Sequence, residues 1–139
     1  MKVVLDFPDL RDDELLARLA RRLLETMVDY NRYYIRRFRP PKLYDSGVRF
    51  RDEPWAGKLE QFASIPPLLK SGWADCAQLA AWRVAELREM GIRAGFRIYG
   101  RFTGKWPRRR RAYHVQVRWP PSAKYPKGWI EDVSRYLEF

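Results

Sequence analysis

Between Asp12 and about Phe38, apolar residues recur at steps of three and four: Leu16, Leu19, Leu23, Met27, Tyr30, Tyr34 and Phe38. This spacing lines one side of an α-helix, and Arg18, Arg21, Arg22, Glu25, Asp29 and Arg36 fall on the other, which should meet water. Asp9 or Asp12 can cap the start, while Arg36, Arg37 and Arg39 complement the dipole at the far end and Pro40-Pro41 stop the helix. Ahead of it, Val3, Leu5 and Phe7 alternate with Lys2, Val4 and Asp6, as in a short strand from Lys2 to Phe7. A second amphipathic helix is predicted from Cys76 through Ala77, Ala80, Ala81, Val84, Leu87 and Met90, closed by Gly91. Its small residues suit close packing against a sheet.

Three strands are predicted next. Ala94 to Arg101 places Ala94, Phe96 and Ile98 on one face. Ala112 to Trp119 turns Tyr113, Val115, Val117 and Trp119 one way and His114 and Gln116 the other. Trp129 to Val133 is the third, after the turn-rich Pro120 to Gly128. Gly104 and Pro107 mark a hairpin tip that runs into Arg108-Arg109-Arg110-Arg111. The stretch Lys42 to Gly72 has no clear period. It offers a turn at Tyr44-Asp45-Ser46-Gly47, a strand at Val48 to Arg51, one helical turn at Glu60 to Ala63 and an interruption at Pro66-Pro67. A helical first half, then a helix followed by antiparallel strands, reads as α+β. The 139 residues match one domain, with a helical and loop-rich part over 1–71 and a core over 72–139.

Composition narrows the function classes. Cys76 and His114 are the only residues of their types, so an internal disulfide is excluded and a zinc site is poorly supplied; no metal and no cofactor are expected. No apolar run approaches the ~18 residues that would cross a bilayer, and the apolar stretch at the N-terminus is too short for a signal peptide. The expectation is a soluble protein of a reducing, cytoplasmic compartment, without membrane contact. Twenty-eight Lys and Arg against 17 Asp and Glu give a net charge of +11. Such an excess attracts nucleic acid or an acidic protein in a salt-sensitive way. Arg108, Arg109, Arg110 and Arg111 are the candidate phosphate contacts, although a solvated hairpin tip is the commoner reason for such a run. Arginine outnumbers lysine 21 to 7, and it also stacks on aromatic rings, which make up 15% of the chain.

The candidate chemistry lies in the second half. Gly72-Trp73-Ala74-Asp75-Cys76 leads directly into the second helix, so the thiol sits at the positive end of the helix dipole, where the nucleophilic thiolate is favoured. His114 could take the thiol proton and return it to a leaving group. Asp132, on a neighbouring strand, could hold the other ring nitrogen and fix the tautomer. Glu131 should point the opposite way and is a poorer orienting acid. Asp75 reads as the helix cap. An oxyanion site needs a donor beside the Cys76 amide, for which Trp55, Gln61 and Trp73 are candidates.

Gly72-Trp73-Ala74-Asp75-Cys76-Ala77-Gln78-Leu79-Ala80, followed by Gly91-Ile92-Arg93-Ala94, resembles the nucleophile helix of the transglutaminase-like superfamily. Tyr113-His114-Val115-Gln116-Val117 is similar to the histidine strand of that superfamily, and Gly128-Trp129-Ile130-Glu131-Asp132 to its aspartate strand. Val133 stands where the family often has proline. The resemblance covers Gly72 to Ser134, in the family's order, and implies a papain-like α+β core with nucleophile Cys76, base His114 and orienting Asp132. It further implies cysteine-dependent acyl transfer on a protein or peptide, by a peptidase, an amidase or a cross-linking transglutaminase. The text from Tyr44 to Glu53 resembles small phage-encoded members, which adds a virion-associated location to the cytoplasmic one. The competing reading is an inactive member: a structural or nucleic-acid-binding module, such as a phage assembly component.

Overall fold

The structure, a computed structural model, describes residues 2–6, 13–51, 59–103 and 110–138. It is a mixed α+β fold. The helices are α1 (Asp13–Phe38), α2 (Ile65–Ser71), α3 (Cys76–Glu89) and α4 (Val133–Tyr136), with a 3-10 turn at Leu43–Asp45. The strands are β1 (Lys2–Asp6), β2 (Arg49–Phe50), β3 (Leu59–Ala63), β4 (Trp73–Ala74), β5 (Gly95–Thr103), β6 (Arg110–Trp119) and β7 (Trp129–Glu131). Antiparallel β5-β6-β7 form the largest sheet, β1 pairs antiparallel with β3, and β2 pairs parallel with β4.

α3 is the centre of the packing. It lies against α1 and β6 and meets α4. Leu79, Ala80, Ala81, Trp82, Val84, Ala85 and Leu87 are all fully enclosed. The one-sided amphipathic helix expected here is instead buried nearly all round, and Met90, at its C-cap, is exposed. Its alanines let neighbours approach from several directions at once, which the periodic pattern alone does not reveal. Gly91 follows at φ 83°, the left-handed stop expected of it.

α1 differs from expectation in a related way. Leu24, Met27, Val28 and Asn31 form its buried side, while Phe38 is exposed. Glu25 and Arg21, assigned to the water face, in fact dock on neighbours. Glu25 takes both arms of Arg88 at 2.6 and 3.0 Å, and Arg21 donates to the Phe96 carbonyl at 3.2 Å. Arg32 and Arg36 converge on Glu89, which lies one residue beyond Arg88 in α3. The helix faces a second helix rather than a bare apolar core, so charged pairs knit their rims.

Glu60 to Ala63 belongs to strand β3, not to a helical turn, because pairing with the distant β1 (Val3 with Phe62, Leu5 with Glu60) outweighs local propensity. Pro66-Pro67, which reads as an interruption, instead sits in the first turn of α2, where a missing N–H costs nothing. The buried Asn31 accepts from the Ile65 amide at 3.0 Å at that start. β7 ends at Glu131, and Val133, expected in the strand, opens α4. The tip joining β5 to β6, with Arg108 and Arg109, lies outside the described residues; Arg110 and Arg111 pair with Thr103 and Phe102 at the base of the hairpin.

A buried polar cluster ties these elements together. Glu131, 2% exposed, accepts from Arg83 Nε of α3 at 2.8 Å, from Trp119 Nε1 of β6 at 2.8 Å and from the Tyr44 hydroxyl. Burial and the Glu131 carboxylate push the Tyr44 phenol well above its usual range, so it remains a donor. The Arg83 guanidinium also lies over the rings of Tyr44 and Trp119. Glu86 accepts from the Leu43 amide at 2.8 Å, and although burial pushes its carboxyl up, that amide and Arg83 oppose the shift.

Removing one charge of such a cluster strands the other. Glu131→Gln should lower stability by about 3 kcal/mol in urea denaturation, as expected for a broken buried pair. A loss below about 1 kcal/mol would show that Arg83 finds water instead. Gly128→Ala should also destabilise. Gly128 has φ 81°, and an added Cβ would meet the Trp119 carbonyl oxygen at 2.7 Å, so the β6-β7 connection must shift to admit it.

Candidate active site

β6 and β7 bring His114 and Asp132 together. The register pairs Val117 with Glu131, so Gln116 lies beside the position that follows, that of Asp132. Asp132 Oδ2 lies 2.9 Å from His114 Nε2 and accepts from Gln116 Nε2 at 3.1 Å; Ser134 Oγ donates to Oδ1 at 2.8 Å. Asp132, expected on the strand, lies one residue past β7 as the cap position of α4. Its backbone is still extended, so Glu131 points to Arg83 and Asp132 to the opposite side, toward His114. Burial opposes ionisation of Asp132, but the hydrogen bonds from His114, Ser134 and Gln116 outweigh it and hold the carboxyl below its ordinary value.

An ionised carboxylate has no proton to give, so the shared hydrogen belongs to His114 Nε2. In the neutral ring, Nδ1 then carries the lone pair and is the basic nitrogen. His114 is 3% exposed, and its Nδ1 is buried with no hydrogen-bond partner. Tyr99, opposite His114 in β5, stands edge-on to the imidazole at 5.5 Å and restricts its rotation.

Cys76 is the first residue of α3 and is half-buried. Asp75 is the cap expected of it: its side chain accepts from the Gln78 amide at 2.9 Å, and the Gln78 side chain accepts from the Asp75 amide at 3.0 Å. This reciprocal box fixes where the helix begins, and with it the backbone of Cys76 at the positive end of the dipole. α3 packs along β6, the strand of His114. No hydrogen bond joins the Cys76 sulfur to the imidazole.

The oxyanion candidates separate. Trp55 lies outside the described residues. Gln61 sits in β3 with its backbone opposite Val4. Trp73 lies in β4, two residues before the Asp75 cap, with the Arg51 guanidinium 5.3 Å from its ring centre. Among the described residues, no three His, Cys, Asp or Glu side chains gather as a metal site requires, and no helix is long and apolar enough to cross a membrane. Sequence reasoning passed over Gln116 and Ser134 as partners of the aspartate. Gln116 shares the His114 face by simple alternation, a usable signal, but its place beside Asp132 depends on the register of a strand pair. No protein-family model matches the chain, and no curated protein and no solved structure matches it.

Folding lowers the Asp132 pKa, so its stabilisation is complete above the ordinary carboxylate value of 3.8 and is lost as pH falls through the folded value. Asp132→Asn should therefore cost more stability at pH 7 than at pH 3 by chemical denaturation. An equal deficit at both would show that the bonds do not favour the ionised form.

Proposed function

We propose that this protein is a cysteine-dependent acyl-transfer enzyme on a papain-like, transglutaminase-like core. In this reading Cys76 is the nucleophile, His114 the general base and acid, and Asp132 the orienting residue. The observation that carries it is the His114–Asp132 pair at 2.9 Å, which leaves the basic Nδ1 buried and without a partner. A buried imidazole nitrogen ordinarily finds a partner in the resting protein, and one kept open is available for a proton. The order of the three residues and the resemblance of their flanking segments to that superfamily point the same way.

In the proposed cycle, Nδ1 takes the Cys76 proton and the thiolate adds to the carbonyl carbon of a carboxamide or peptide bond of a protein or peptide. The negative charge moves to the carbonyl oxygen, toward first-turn amides of α3. Collapse breaks the C–N bond, the imidazolium returns the proton to the departing amine, and an acyl-enzyme thioester remains. Water or a second amine, deprotonated by the same nitrogen, releases the acyl group. The first outcome is hydrolysis and the second is cross-linking. Asp132 stays ionised throughout and stabilises the imidazolium.

The single thiol makes the test unambiguous. Iodoacetamide should alkylate Cys76 readily at pH 6 to 7, because a helix N-terminus and a nearby imidazole favour the thiolate. His114→Ala should slow the reaction about tenfold or more, and Asp132→Asn by less. A thiol that reacts only after denaturation, or at the same rate in both variants, would leave the binding-module reading. That reading rests on the +11 charge, and mixed-sequence DNA binding that weakens with salt would support it.

A further inference from the structure

The face of the sheet that carries the His114–Asp132 pair also presents an arginine held in an unusual setting. Arg97, on β5, is directly opposite Gln116 and two residues from Tyr99. Its guanidinium lies 4.9 Å from the centre of the Tyr99 ring, and Tyr99 in turn meets the His114 ring edge-on. Arg97 Nη1 donates to Gln116 Oε1 at 3.3 Å, which turns the Gln116 amide so that its Nε2 donates to Asp132. Arg97 is exposed, and among the described residues it has no carboxylate partner. Arg32, Arg36, Arg83 and Arg88 are all bound to glutamates. A guanidinium has five donors, and Arg97 spends one of them. The tyrosine face and the glutamine fix the plane of the fork, so little side-chain freedom is lost when the remaining donors are used.

We propose that Arg97 is the substrate-recognition residue of this site and that the preferred acyl donors are acidic peptides, with a carboxylate close to the reacting amide. The inference rests on the acyl-transfer reading above, because it takes the imidazole beside Tyr99 to be the reacting base. A carboxylate on Arg97 would form a planar, two-pronged contact while the adjacent amide lies toward His114. Lysine at this position would keep the charge but not the fork or the stacking.

Cys76 can report the contact through two alkylating agents of similar size. Iodoacetate carries a carboxylate and iodoacetamide does not; each leaves its CH2 on sulfur and releases iodide. The ratio of their rate constants, measured at one pH and low salt, isolates the effect of the carboxylate. Arg97→Gln should lower the iodoacetate-to-iodoacetamide ratio about threefold, the size of an exposed ion pair. Arg97→Lys should lower it by less, and 0.5 M salt should shrink the difference. Arg93→Gln is the control: it removes the same charge from an exposed arginine beyond the C-terminal end of the 14-residue α3, ~20 Å along that helix from Cys76. A ratio unchanged in Arg97→Gln, or lowered equally in Arg93→Gln, overturns the inference while leaving the nucleophile intact. An iodoacetamide rate that does not respond to His114→Ala overturns the underlying reading, and the inference with it.

Discussion

The buried contact between Arg83 and Glu131 is the constraint on which the arrangement of the second half depends. A carboxylate 2% exposed is tolerable only with its charge matched and its oxygens occupied, and Arg83, Trp119 and Tyr44 together meet both needs. They come from α3, β6 and the 3-10 turn, so satisfying one carboxylate fixes three elements relative to β7. Asp132 is the next residue. Its direction follows from that of Glu131, and the placement of the candidate orienting acid is thus set from the opposite side of the strand.

The arginine-rich composition acquires a structural meaning on the same terms. Arg88 on Glu25, and Arg32 and Arg36 on Glu89, join α1 to α3 along two rims, while the small apolar residues of α3 fill the space between. The Glu89 carboxyl is held below its ordinary value chiefly by the Arg36 hydrogen bond, despite a burial contribution of opposite sign. Among the described residues, Arg32, Arg36, Arg83 and Arg88 are thus committed to glutamates. Their partner glutamates are already subtracted in the net charge, so the excess of +11 rests on the other basic residues.

Legibility in the sequence followed the range of the interactions. The long helix, the helix from Cys76, its Asp75 cap, the Gly91 stop and the β5 and β6 strands are written in local spacing, and they could be read. β3 could not, because its identity depends on β1, more than fifty residues earlier. The Pro66-Pro67 doublet misled because proline ends a helix and also begins one, and only the Asn31 contact decides which. At the candidate site, the pairing of His114 with Asp132 could be anticipated, because each lies on or beside a strand-like segment. Gln116, Ser134 and Arg97 were not, since their roles exist only once the strands are in register.

The last strand-like contact carries a consequence for timing. Phe50 donates to the Leu137 carbonyl at 2.8 Å and Phe50 bridges to Glu138; its strand β2 pairs with β4, which runs through Asp75 into Cys76. The lead-in to Cys76 is thus clasped, through a single intermediate strand, by residues that leave the ribosome more than sixty positions after it. A nascent chain that already displays the thiol has not yet received the segment that braces it. Closure must wait for that later segment, and until then the cysteine is carried on an unfastened support.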